Sequence, residues 1–162
     1  MRGAFRYAPH AIAILAVVGL MGWFRAEQRR LEREPEGAFH LEEPDWTRHL
    51  TYIRAAVQQQ PTEAAKLATL ADLMTQPYRQ QSMPLRFKAM RASDGRLVLR
   101  LTVAAAVPRW YTARAARLAH IEASRLLKRE VPIHIYETYL AGRPHLIGIC
   151  RTRNGILEVA FR

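Results

Sequence analysis

The order of apolar and polar positions divides the chain into a continuous apolar run, a charged spacer and a stretch of alternating periodicities. Residues 8–24, APHAIAILAVVGLMGWF, carry no charged side chain. As a helix rising about 1.5 Å per residue, such a run spans roughly 26 Å, inside the range of single membrane crossings once interfacial Tyr7, Trp23 and flanking arginines are counted. A cleaved secretory signal and a buried helix of a soluble core are the competing readings. The following GLMGWFRAEQ offers no small-x-small site before the bulky Trp23 and Phe24, so an uncleaved anchor is expected. Residues 1–24 then read as a tail and transmembrane anchor. Residues 25–42 read as a charged juxtamembrane stem, helical until Pro35 and Gly37 stop it.

Residues 43–162 read as one α+β domain. Trp46, Leu50, Ile53 and Val57 recur at helical spacing, opened by acids and closed before Pro61. Thr62 is placed to cap a second helix, with Glu63 at its positive end and Leu67, Leu70, Leu73 and Met74 on its apolar side up to Gln76 and Pro77. Residues 43–76 are therefore expected to form a helical hairpin. Residues 85–162 are expected to form a sheet with one long helix.

Two alternating runs, 85–92 and 96–104, flank Ser93-Asp94-Gly95 and predict a β-hairpin. Leu97, Leu99, Leu101 and Val103 point one way, whereas Arg86, Lys88, Arg96 and Arg100 point the other and make a candidate basic surface. Pro108 opens a helix to about Glu130, with Tyr111, Ala115, Leu118, Ile121 and Leu127 on its expected core side. Three strands follow, PIHIYETYL, HLIGICRTR and ILEVAF, joined by AGRP and by the two-residue turn Asn154-Gly155. The order is α-α-β-β-α-β-β-β with a mainly antiparallel sheet.

The Asn154-Gly155 turn sets Arg151 opposite Glu158 and Cys150 opposite Val159. A turn about Gly142-Arg143 sets Ile135 opposite Cys150. In that register Ile133, Ile135, Tyr139, Leu146, Cys150, Leu157, Val159 and Phe161 share the core face. Glu137 also turns inward, which calls for an arginine partner or a bulge. Tyr136, Ile147, Ile149 and Ile156 share the reverse face and make a candidate interface, too apolar to be left in water. The helical hairpin of residues 43–76 is the expected cover for this face, giving three layers; another subunit or a membrane partner is the alternative.

Charge sharpens the picture. Of the net +11, residues 1–35 carry +3, residues 36–78 carry −3 and residues 79–162 carry +11. Such a basic half suits anionic lipid, nucleic acid or an acidic protein. Twenty-two of the twenty-five basic residues are Arg, so compositional bias explains part of the excess. The tail carries Arg2 and Arg6, and the other flank Arg25, Arg29, Arg30 and Arg33. Strict counting favours a cytoplasmic domain, but a short basic tail before a first anchor commonly stays inside, so an extracytoplasmic domain is expected.

Chemistry is sparse. The single cysteine, Cys150, excludes an internal disulfide framework and falls mid-strand on the core side, where a thiol is usually inert. No HxxxH, HExxH, GxGxxG or GxxxxGK[ST] occurs, and the six histidines show no carboxylate at ligand spacing. Glu122 and Glu130 belong to a basic helix surface, so no tuned acid and base stands out. No catalytic, cofactor or metal residue is therefore assigned. The expected function is a single-pass, membrane-anchored, non-catalytic scaffold or assembly module acting through protein contacts, with other subunits or its own copies as partners. An anchored basic module for anionic lipid, wall polymer or nucleic acid is the first alternative. An enzyme using Cys150 with a histidine is the second.

Overall fold

Helical caps and strand turns fall close to the positions that the sequence marks. The computed structural model describes residues 44–139 and 142–162, and the expected anchor and stem, residues 8–24 and 25–42, lie outside them. No helix among the described residues is long and apolar enough to cross a membrane. The first helix, α1 (Trp46–Gln58), is capped by Asp45, whose carboxylate accepts the Thr47 N–H at 3.2 Å. In α2 (Glu63–Gln80) the Thr62 hydroxyl accepts the Ala65 N–H at 3.1 Å. This helix runs past the expected stop. Proline lacks a donor but its fixed φ is helical, so Pro77 costs one bond, and the turn continues with Gln81 N–H donating to Pro77 O.

Five strands follow: β1 (Leu85–Arg91), β2 (Leu97–Ala104), β3 (Ile133–Thr138), β4 (His145–Arg153) and β5 (Ile156–Phe161), with α3 (Arg109–Leu127) between β2 and β3. The sheet is mixed, in the order β1-β2-β3-β4-β5. Every neighbouring pair is antiparallel except β2 and β3, which run parallel because the crossover through α3 returns the chain to the same end. The β4–β5 register is the one the Asn154-Gly155 turn requires, with Arg151 opposite Glu158 and Cys150 opposite Val159.

The β3–β4 register differs from expectation. Ile133, not Ile135, faces Cys150, and a bulge between Ile135 and Tyr136 leaves Ile147 as the extra residue on β4. Beyond the bulge the faces exchange: Ile147 turns into the core at 7% exposure, whereas Leu146 joins the reverse face opposite Tyr136. Gly148 sits where the strands come closest. A Cβ there would stand 2.7 Å from the Ala160 carbonyl oxygen, so no larger residue fits without movement.

One core holds the domain. Ile53 and Val57 of α1, Leu67, Leu70 and Met74 of α2, and Ala116, Ala119 and Ala123 of α3 meet Leu85, Phe87, Leu99, Leu101, Ile133, Ile135 and Cys150 of the sheet. All these strand residues belong to one face. The helical hairpin therefore shares a side with α3, which α1 and α2 both contact, and does not cover the reverse face as expected. Its own stripe of Ile53, Val57, Leu67 and Leu70 is consumed on the side where α3 already lies. The buried side of α3 is also turned from expectation. An alanine stripe lets it approach closely, leaving Ile121 half exposed.

Candidate functional site

Strand alternation dictates what the sheet face away from the three described helices displays. Each residue that follows a core residue points outward, and the registers line these residues up in rows. One row runs Lys88, Arg100, His134, Ile149 and Ala160 across all five strands. The next runs Arg86, Thr102, Tyr136 and Leu146. Ile156 stands on the same face beside the last turn and is 71% exposed. Three candidate basic residues, Arg86, Lys88 and Arg100, are thus brought together with the candidate interface residues Tyr136, Ile149 and Ile156.

Electrostatics on this face work against the fold. Lys88 stands directly opposite Arg100, a like-charged pair that costs roughly 0.2–1 kcal/mol. Among the described residues no carboxylate pairs with Arg86, Lys88 or Arg100. Arg100 turns aside instead, with its guanidinium carbon 4.3 Å from the centre of the Tyr136 ring and its Nε donating to Thr102 Oγ1 at 3.2 Å. Burial holds the His134 imidazole below its ordinary range, against an upward pull from Asp94, so it adds no charge at neutral pH. Arg96 is differently employed: its guanidinium grips Asp94 at 2.6 Å within the turn. The contact lowers the Asp94 pKa and raises that of Arg96.

The other polar groups that sequence reading singled out are structural. His120 is buried, its Nδ1 donating to Val131 O at 2.9 Å and its Nε2 2.9 Å from Thr152 Oγ1, which ties α3 to β4. Glu122 is not on a basic helix surface but buried. It accepts both arms of Arg54, at 2.8 and 2.6 Å, clamping α1 to α3. These hydrogen bonds raise the Arg54 pKa. Glu130 accepts the Thr152 N–H at 2.7 Å and so extends the β4 ladder ahead of the first residue of β3.

Glu137 is where the bulge acts. The shifted register sets it opposite His145, with 3.7 Å between carboxylate and imidazole, and Tyr139 stacks on His145 with ring centres 5.4 Å apart. The Glu137 carboxylate beside the Tyr139 hydroxyl raises the Tyr139 pKa, so the phenol keeps its proton at neutral pH. Sequence spacing hid this His-carboxylate pair, because the expected register gave His145 a different neighbour. The pair closes one end of the hairpin, and the described residues contain no cluster of three or more His, Cys, Asp or Glu side chains that could hold a metal ion.

Burial pushes the Cys150 thiol up to about 12, with Glu130 adding to the rise and Arg117 opposing it. A nucleophile needs the thiolate, which is scarce at neutral pH in that setting. The outer sheet face, with Arg86 and Lys88 unpaired by any carboxylate among the described residues, is accordingly the feature the fold itself explains least. Comparison with family models, curated proteins and solved structures yields no match to this chain.

Proposed function

We propose that this chain is a non-catalytic contact module, held at a membrane by residues 8–24, with its α+β domain on the extracytoplasmic side. The domain docks another protein on the open sheet face. Tyr136, Leu146, Ile149 and Ile156 supply apolar contact, and Arg86, Lys88 and Arg100 favour a partner surface with carboxylates. The observation that carries this reading is the sheet face that none of the described helices covers, where Lys88 and Arg100 stand opposite each other with no carboxylate partner among the described residues.

A second reading, binding of an anionic lipid, wall polymer or nucleic acid, draws support from the guanidinium of Arg100 over Tyr136, since basic and aromatic groups share one surface. Photo-cross-linking amino acids at Lys88 and Ile149, with Thr51 on α1 as control, separate the two in intact cells. A discrete protein adduct from the sheet positions, absent from Thr51 and lost with Tyr136→Ala, supports protein docking. Adducts to lipid or nucleic acid, or equal capture from Thr51, would refute it.

A further inference from the structure

A sheet of five strands in linear order has two edges, and this one treats them differently. At β1 the outward N–H of Phe87 donates to Thr75 Oγ1 at 2.9 Å, and that of Leu85 donates to Met83 O at 2.8 Å. Helix α2 thus blunts this edge. At β5 the two-residue turn makes Arg153 and Ile156 a hydrogen-bonded pair, so the backbone groups of Leu157, Val159 and Phe161 face away from β4. Among the described residues nothing bonds to them. The strand has no proline, no bulge and no lysine, the usual devices against pairing. Beside it lies a groove of about 430 Å³ between α3 and β5, lined by Arg117, Ile156, Leu157 and Val159 among others.

We infer that β5 is a self-association edge, on which a second copy of this chain adds its own β5 antiparallel about a twofold axis at Ala160. The register follows from charge. Pairings that keep inward side chains on the inner face are centred on one residue of the strand. Centring on Glu158 sets two carboxylates together, and centring on Val159 leaves Glu158 opposite Ala160 with its charge unpaired. Centring on Ala160 sets Glu158 opposite the second copy's Arg162 on the outer face, and Val159 opposite its Phe161 over the groove. Neither Glu158 nor Arg162 has an ion-pair partner among the described residues. The pairing joins two sheets into one and aligns two docking faces.

The test uses the full chain in mild detergent under gentle oxidation. Directly opposed residues bring their Cβ atoms to about 4.5–5.5 Å, near disulfide reach, so Ala160→Cys runs as a covalent dimer on a non-reducing gel. Glu158→Cys does not, because its opposite number is Arg162. Glu158→Arg and Arg162→Glu each weaken dimerisation roughly tenfold in sedimentation, and the double variant restores it. A monomeric Ala160→Cys chain, equal cross-linking through Glu158→Cys, or failure of the double variant to restore association overturns the inference.

Discussion

The two faces of the sheet are built from the same strands yet obey different rules. On the inner face Leu99, Leu101, Ile133, Ile135 and Cys150 have no exposed surface and meet three helices. On the outer face Lys88 opposes Arg100, and Tyr136 and Ile149 stand half covered. Alternation alone would let the second face be neutral and polar. That it is basic and apolar together is what the proposed docking reading accounts for.

The comparison breaks most easily on hydrophobic truncation. Ile135→Ala leaves a cavity at a fully buried site and is expected to cost about 3–4 kcal/mol in urea unfolding. Ile149→Ala, on the other face of the same sheet, is expected to cost under about 1 kcal/mol. Equal losses would mean that the outer face is sealed as well. Next in size is the clamp. Arg54→Ala strands the buried Glu122 carboxylate and is expected to cost roughly 2–3 kcal/mol, less than a fully buried pair would because the Arg54 side chain is one-third exposed. Adding Glu122→Gln should return part of that loss.

Lys88→Glu reverses the usual sign. It replaces repulsion of Arg100 by attraction and is expected to stabilise the fold by about 0.5 kcal/mol while abolishing docking. A destabilised variant would remove the claim that this face sacrifices stability. The smallest effect belongs to His134. Its folded pKa lies below the unfolded value of about 6.5, so the unfolded chain takes up a proton first. Stability therefore falls as pH drops through that value towards the folded pKa. Urea midpoints of the parent chain and His134→Gln should converge above neutrality and part below it.

Much of this architecture is legible in the sequence because its punctuation is strong. Asp45 and Thr62 cap their helices, and Asn154-Gly155 fixes the last register, all through local interactions a reader of the sequence can see. The bulge is legible only in part: the inward turn of Glu137 calls for one or for an arginine partner, but its place on β4 is hidden. Leu146, Ile147 and Ile149 are all apolar, so nothing in their pattern says which of the first two turns inward. The side taken by the helical hairpin is hidden for the same reason: both faces offered apolar surface, and only packing against the alanine stripe of α3 decides between them. The Arg54 and Glu122 clamp joins positions distant in sequence, with each residue locally indistinguishable from a solvated charge. Of the outer sheet face, Arg86, Lys88, Arg100, Tyr136, Ile149 and Ile156 are readable from alternation. Ile147 and Arg96 were not separable from them without the bulge and the Asp94 contact.

An outer sheet face that is occupied in the working protein is shielded there from reagents in solution. Lys88→Cys places a thiol on that face, Ile121→Cys places one on the exposed side of α3, and the native Cys150 is buried and slow to react. A membrane-permeant maleimide should label Ile121→Cys equally in intact cells and after purification, but Lys88→Cys only after purification. Equal labelling of Lys88→Cys in both settings would contradict that occupancy.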